Sequence, residues 1–316
     1  MKILVTGAAG FIGSHTAEHL KKIGHEVIGI DNFSPYYDRK LKELNANVLK
    51  AQNIPVLEMD LRNMVDYKIL DQDFNYIFHF AAQPGISSRC SFEDYLTNNI
   101  LATRNLVDFA LQNNQLKFFI NIATSSIYGK EATLSEEKTP QPTSNYGITK
   151  LAAEQYVLSK ARKQQLKACS FRLYSVYGPR ERPEKLYTKL ISCIFNNQPF
   201  PLYKGSEKHL RSFTYIEDIV NGIVSALGKE TILNKQIINL GTETEHSTQE
   251  GINFVTEILN TPIRIKKVSP REGDQFKTHA VIDKAKKLLN YNPTTTLKEG
   301  IEKQIEWYQK HFGKTR

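Results

Sequence analysis

Thr6-Gly7-Ala8-Ala9-Gly10-Phe11-Ile12-Gly13 sets the fold, because its three glycines stand between an apolar run and a helical pattern. Residues 1–5 before it read as a first strand; they run straight into the glycines without a cleavage-site pattern, which argues against a signal peptide. After it, 12–23 carries apolar residues at three-and-four spacing. In such a strand–turn–helix, Gly7 permits the tight turn, Gly10 lets the backbone approach a pyrophosphate, and Gly13 permits close helix–strand packing. The helix N-terminus adds free N–H groups and partial positive charge. A glycine-rich turn without a ligand is the bland alternative, so the surroundings have to decide.

They repeat the unit. Further apolar runs at 26–30, 55–59, 76–80, 118–122 and 168–172 alternate with helical patterns at 39–51, 94–111 and 146–162. Alternation of this kind predicts a parallel sheet with helices on both faces, in the doubly wound, Rossmann-type arrangement. After Tyr177-Gly178-Pro179 the rhythm changes. Helical stretches at 186–195, 216–227 and 248–259 are separated by short strands at 236–240 and 263–267, and 297–310 closes the chain. The expectation is therefore α/β, with a cofactor domain over 1–178 and a smaller α/β substrate lobe over 179–316. The two should interleave around 212–240, since 212–216 reads as a strand entering a helix near the sheet.

Asp31 ends the second run, where a carboxylate accepts hydrogen bonds from both ribose hydroxyls and repels a 2′-phosphate. NAD+ is therefore favoured over NADP+. Asp60 and Leu61 follow the third run and should border the adenine; Ala81, Ala82 and Gln83 follow the fourth and leave room for the cofactor. His79 stands inside an apolar run and is read as structural. Asn32, Asn98 and Tyr174 complete the expected cofactor set, with Phe11 and Ile12 from the glycine turn.

Tyr146 and Lys150 lie at i and i+4, so one helix face can present phenol and ammonium together. A free tyrosine has a pKa of about 10, and a nearby ammonium plus a cationic nicotinamide should pull it down toward use as a base. Tyr-x-x-x-Lys is common by chance; Thr124-Ser125-Ser126, one crossover upstream at a strand end, makes it specific.

Together these segments resemble the extended short-chain dehydrogenase/reductase superfamily, over essentially the whole chain. The stretches 172–179 and 211–218 resemble its nucleotide-sugar branch. The resemblance implies that Thr124 and Tyr146 handle a sugar 4-hydroxyl and that Lys150 holds the nicotinamide ribose. It places Arg211 and Arg271 on the nucleotide diphosphate. In the branch's 4,6-dehydratases Asp-Glu follows the threonine, and the decarboxylases carry a glutamate in this segment; here Ser125 and Ser126 stand instead. Epimerisation at C4 needs neither carboxylate.

Ser125, Ser126 and Ser175 offer hydroxyl donors suited to a C5 carboxylate, with bonding to backbone and water as the bland alternative. Gly178-Pro179-Arg180-Glu181-Arg182-Pro183-Glu184 resembles the UDP-glucuronate 4-epimerases, as do Asp31-Asn32-Phe33, Tyr36-Tyr37-Asp38 and Ala81-Ala82-Gln83-Pro84-Gly85. Arg182 is expected on the nucleotide portion of the substrate. Three departures fall on the sugar side: Ser175 where threonine is usual, Arg89 two places later than the usual arginine, and Glu184 for aspartate. The same epimerase acting on UDP-glucose or UDP-N-acetylglucosamine is the alternative, and a non-catalytic NAD-binding module stands behind it.

Composition agrees with a globular enzyme. The 316 residues are 40% hydrophobic and 24% charged, against disorder, collagen and coiled coil. No 18-residue apolar span occurs, so no membrane is expected. The charge of +9 comes from scattered lysines and arginines without a nucleic-acid signature, and suits an anionic small substrate. Cys90, Cys169 and Cys193 show no metal-ligand spacing, so no metal is expected; unpaired thiols suit a reducing, cytoplasmic compartment. By the same resemblance, a homodimer is expected to form through the helices at 94–111 and 146–162.

Overall fold

The computed structural model describes residues 1–87, 89–270 and 276–313. In chain order, β1 (Lys2–Thr6), α1 (Phe11–Lys22), β2 (Glu26–Asp31), α2 (Arg39–Ala51), β3 (Val56–Glu58) and β4 (Tyr76–His79) form the first half of a sheet. Then come α3 (Phe92–Tyr95), a π-helical turn (Leu96–Leu101), α4 (Ala102–Leu111), β5 (Phe118–Thr124), the short β6 (Glu131–Ala132), α5 (Asn145–Arg162) and β7 (Ala168–Leu173). Beyond these lie α6 (Leu186–Phe195) and α7 (Ile216–Val224), and the strand Ile237–Leu240 returns to the sheet. Seven parallel strands result, ordered Ile237–Leu240, β7, β5, β4, β1, β2, β3.

Both faces of this sheet are covered. All seven residues of β5 and all four of β4 are buried, as in a parallel sheet covered by helices on both faces. Alternate side chains divide between two cores. Ile3, Val5, Phe118 and Ile120 pack on one side with Ala17 and Leu20 of α1 and with α7. Leu4, Ile77 and Phe119 pack on the other with Leu106 and Phe109 of α4 and Val157 and Ala161 of α5. The strand order reverses between β4 and β2 about β1. The crevice at the carboxyl ends of β1, β4 and β5 is thus where an open α/β sheet binds ligands.

The smaller lobe closes over that edge. Thr214–Tyr215 pairs in parallel with Val176–Tyr177 and runs directly into α7. Lys277–Thr278 lies between β6 and Leu210–Arg211, while Phe200–Tyr203 pairs with Ile265–Val268. One expected helix differs. The pattern at 94–111 is broken by the π-turn at Leu96–Leu101, where Asn99 is tied to two other segments. Its Oδ1 accepts from the Gln83 backbone N–H at 2.7 Å, and its Nδ2 donates to Thr149 Oγ1 at 3.0 Å. Among the described residues, no helix is long and apolar enough to cross a membrane.

Candidate active site

The glycine turn forms as its sequence requires. Gly7 sits at φ +67°, and a Cβ there would come within 2.9 Å of the Ala81 backbone nitrogen. At Gly13 a Cβ would collide with the Gly7 carbonyl oxygen, so α1 can begin this close to β1 only with glycine. Gly10 caps α1 without a side-chain hydrogen bond, and the first turn holds no acidic residue. Its N–H groups therefore face the crevice without a competing carboxylate, which suits a pyrophosphate. Asp31 is fixed beside them: its Oδ2 accepts from Ala9 N at 3.1 Å and its Oδ1 from Phe33 N at 2.8 Å.

These groups open into one cavity of about 380 Å³. Gly7, Gly10, Phe11, Ile12, Gly13, Asp31, Asn32, Asp60, Leu61, Ala81, Ala82, Gln83, Asn98 and Tyr174 line it, with Tyr146 and Lys150. So do Thr124, Ser125, Ser126, Ser175, Arg182 and Arg211. Every expected site residue is on this wall except Arg271, which lies outside the described residues. Among the described residues no group of histidine, cysteine and carboxylate side chains is arranged to hold a metal.

Tyr146 enters because Ser144 caps α5, its hydroxyl accepting from Gly147 N at 3.1 Å, and because Gly147 lies close against the Ser126 carbonyl. Thr124 closes β5, and its Oγ1 accepts from Ser126 N at 3.2 Å, turning Ser125 and Ser126 across the strand end. Backbone bonding of the serines is directed elsewhere: the Ser175 carbonyl accepts from Thr214 N at 2.8 Å. All three serines line the cavity. His79 is fully buried, its ring nitrogens 2.8 Å from Thr6 Oγ1 and 2.9 Å from Thr103 Oγ1. Burial pushes it down to about 3, so it is neutral and structural.

Burial raises the Tyr146 phenol above its ordinary value. Arg182, hydrogen bonding to Thr124 and the Gly85 backbone oppose the rise without overcoming it. Lys150 is itself desolvated and falls to about 8, with Glu154 opposing that fall. Glu154, one turn along α5, is fully buried against Arg172, with Oε1 2.6 Å from Nη2 and Oε2 3.0 Å from Nε. Raised above its ordinary value of 10, the Tyr146 phenol is protonated at neutral pH, and a cation bound beside it would favour the phenolate.

Arg182 sits near the reacting end. Its Nη1 is 3.5 Å from the Pro84 carbonyl and 2.8 Å from Glu184, its guanidinium lies 5.8 Å from the Tyr36 ring, and its charge acts on Tyr146. Sequence reasoning also missed two buried ionisable groups on this wall. Lys42 is 3.6 Å from Asp31 Oδ1. Glu181 accepts at Oε2 from Gln304 Nε2 (2.9 Å) and Thr188 Oγ1 (3.1 Å), and burial lifts it to about 7. Neither carries a sequence signal, because lysine at an inward helix position and glutamate before Arg182 read as solvated charges.

The chain matches the family described as NAD dependent epimerase/dehydratase over residues 3–241. It is 35% identical to the uncharacterized UDP-glucose epimerase YtcB of Bacillus subtilis, over 97% of this chain and 98% of that protein. UDP-glucuronate 4-epimerase 1 of Arabidopsis thaliana is 33% identical, over 99% of this chain and 78% of that one. The crystal structure of UDP-glucuronic acid 4-epimerase from Bacillus cereus, in complex with UDP-glucuronic acid and NAD, superposes with a TM-score of 0.92. It is 34% identical and covers 99% of this chain and 100% of that one.

Proposed function

The chain belongs to the NAD dependent epimerase/dehydratase family, and from that premise we propose that it is a UDP-glucuronate 4-epimerase. It interconverts UDP-glucuronate and UDP-galacturonate, and NAD+ is its cofactor. The observation carrying this reading is the wall around Thr124: Tyr146, Lys150 and three serines line one cavity, and no carboxylate follows Thr124. The cavity's carboxylates are Asp31 at the end of β2, Asp60 just after β3, and Glu181, which is engaged by Gln304 and Thr188.

Gly7, Gly10 and Gly13 would hold the pyrophosphate and Asp31 the adenosine ribose, with Lys150 at the nicotinamide ribose. The cofactor supplies an acceptor for hydrogen at C4 and returns it to the opposite face. Thr124 orients the sugar 4-hydroxyl, and Tyr146 Oη takes its proton and later gives it back. The positive charge that enters with NAD+ favours the phenolate, which the bare protein disfavours. Ser125, Ser126 and Ser175 bind the C5 carboxylate, and Arg182, beside Tyr146, belongs to this sugar end. Arg211 is assigned to the diphosphate.

The serines also protect the intermediate. A C4 ketone lies β to the C5 carboxylate, and loss of carbon dioxide requires that carbon–carbon bond to stand roughly perpendicular to the carbonyl plane. Hydroxyl donors holding the carboxylate near the plane keep the intermediate intact while it turns over.

We divide the chain into a cofactor lobe, 1–178, joined by Ile237–Leu240, and a substrate lobe over the remainder. Two copies pair through α4 and α5, where Ile148 is exposed, and the free thiols suit a cytoplasmic setting. A second reading, epimerisation of UDP-glucose, is favoured by the relative from Bacillus subtilis. Incubating the protein with UDP-glucuronate, UDP-glucose and UDP-N-acetylglucosamine, without added cofactor, separates the two. UDP-galacturonate from the first substrate supports the uronate reading, and turnover of the neutral sugars alone overturns it.

A further inference from the structure

Lys42 is an ammonium placed directly against Asp31, the carboxylate proposed above for the adenosine ribose. It projects from α2 on the same buried face as Asn45, whose Nδ2 donates to the Ala9 carbonyl of the glycine turn at 2.9 Å. That face is therefore aimed at the cofactor crevice, and Lys42 lines the cavity together with Asp31. Its Nζ is 3.6 Å from Asp31 Oδ1 and 5.2 Å from the centroid of the Tyr37 ring. The neighbouring cations are committed elsewhere. Arg39 is bound at both nitrogens of its fork by Glu58 and at Nε by Glu43, and Arg182 pairs with Glu184.

We infer that Asp31 and Lys42 act as one cofactor-specificity pair, in which Lys42 is a cation for a ribose 2′-phosphate that Asp31 masks. The inference deepens the NAD+ reading above and rests on it. A lone buried carboxylate would reject a 2′-phosphate by charge. Here its field is partly cancelled by an ammonium a few ångströms away, so the rejection is weaker than the carboxylate alone would impose. Two consequences have opposite signs. Removing Lys42 sharpens the preference for NAD+. Removing Asp31 leaves the ammonium facing the crevice unopposed and admits the 2′-phosphate, which lysine binds as a compact point charge.

The test is equilibrium dialysis of wild type, D31A, K42M, D31A/K42M and D31A/K42R against an equimolar mixture of NAD+ and NADP+. Bound nucleotide is released by denaturation and quantified, so no turnover is required. K42M should raise the bound NAD+:NADP+ ratio. D31A should lower it by about a hundredfold, and K42M in the D31A background should reverse at least about tenfold of that change, while K42R preserves it. Equal NADP+ uptake by D31A and D31A/K42M, or an unchanged ratio in K42M, overturns the inference. K42R, which keeps the charge, separates lost charge from lost packing. Retention of neither nucleotide by the wild type would overturn the cofactor reading itself and the inference with it.

Discussion

Glu181 should make this protein lose stability as the pH rises through neutrality. Its side chain is 7% exposed, and burial lifts its pKa to about 7, above an ordinary glutamate value of 4.5. Between those two values the native carboxyl holds a proton that the unfolded chain has released. Stability then falls with rising pH, because the native state binds more protons. At about 1.4 kcal/mol per pKa unit, the loss between pH 5 and pH 8 is about 2–3 kcal/mol. Glu181→Gln isolates this contribution. One oxygen, Oε2, accepts both from Gln304 and from Thr188, and the glutamine carbonyl can take its place without a charge. Urea unfolding of both proteins at the two pH values gives a double difference from which other titrating groups cancel. The variant should gain on the wild type by about 2–3 kcal/mol as pH goes from 5 to 8. Equal pH dependence in the two proteins would refute the argument, since Glu181 would then be ionised in the native state or protonated in neither.

Three further outcomes follow from the site. Tyr146→Phe should lower turnover by about a hundredfold to ten-thousandfold with UDP-sugar binding by calorimetry nearly unchanged, since only the phenolic oxygen is lost; Thr124→Val should be milder. Glu154→Gln should cost about 3–5 kcal/mol in urea unfolding, because it leaves Arg172 buried without its counter-charge; a cost under 1 kcal/mol would show that the pair is dispensable. Alanine at Ser125, Ser126 or Ser175 should increase release of the 4-keto-pentose per turnover, measured by chromatography of the nucleotide sugars, as a hydrogen bond to a charged group worth roughly 1.5–3 kcal/mol is removed. Unchanged product ratios in all three would remove the clamp.

What the sequence made legible was governed by neighbours along the chain. β1, α2 and α6 fall where their apolar spacing placed them, and the glycine turn announces itself because Gly7 takes a positive φ and Gly13 packs on the Gly7 carbonyl. The π-turn at Leu96–Leu101 was not legible, because the groups that hold Asn99, Gln83 N and Thr149 Oγ1, come from distant segments. Lys42 and Glu181 were hidden for the same reason: their burial depends on groups from other elements, Asp31 and Tyr37 for the one and Gln304 for the other. Tyr146 shows the limit most clearly. Its position beside Lys150 follows from helical spacing, but the direction of its pKa depends on desolvation and on Arg182, which no spacing encodes.

The central claim is that hydrogen leaves C4 and returns to the same carbon within one protein molecule, with the carboxylate kept. UDP-glucuronate carrying deuterium at C4 tests it in one measurement, by mass and NMR analysis of the product formed in ordinary water. UDP-galacturonate with the deuterium retained at C4 is the expected result. Loss of that deuterium to solvent, or a pentose as the main product, would contradict the account.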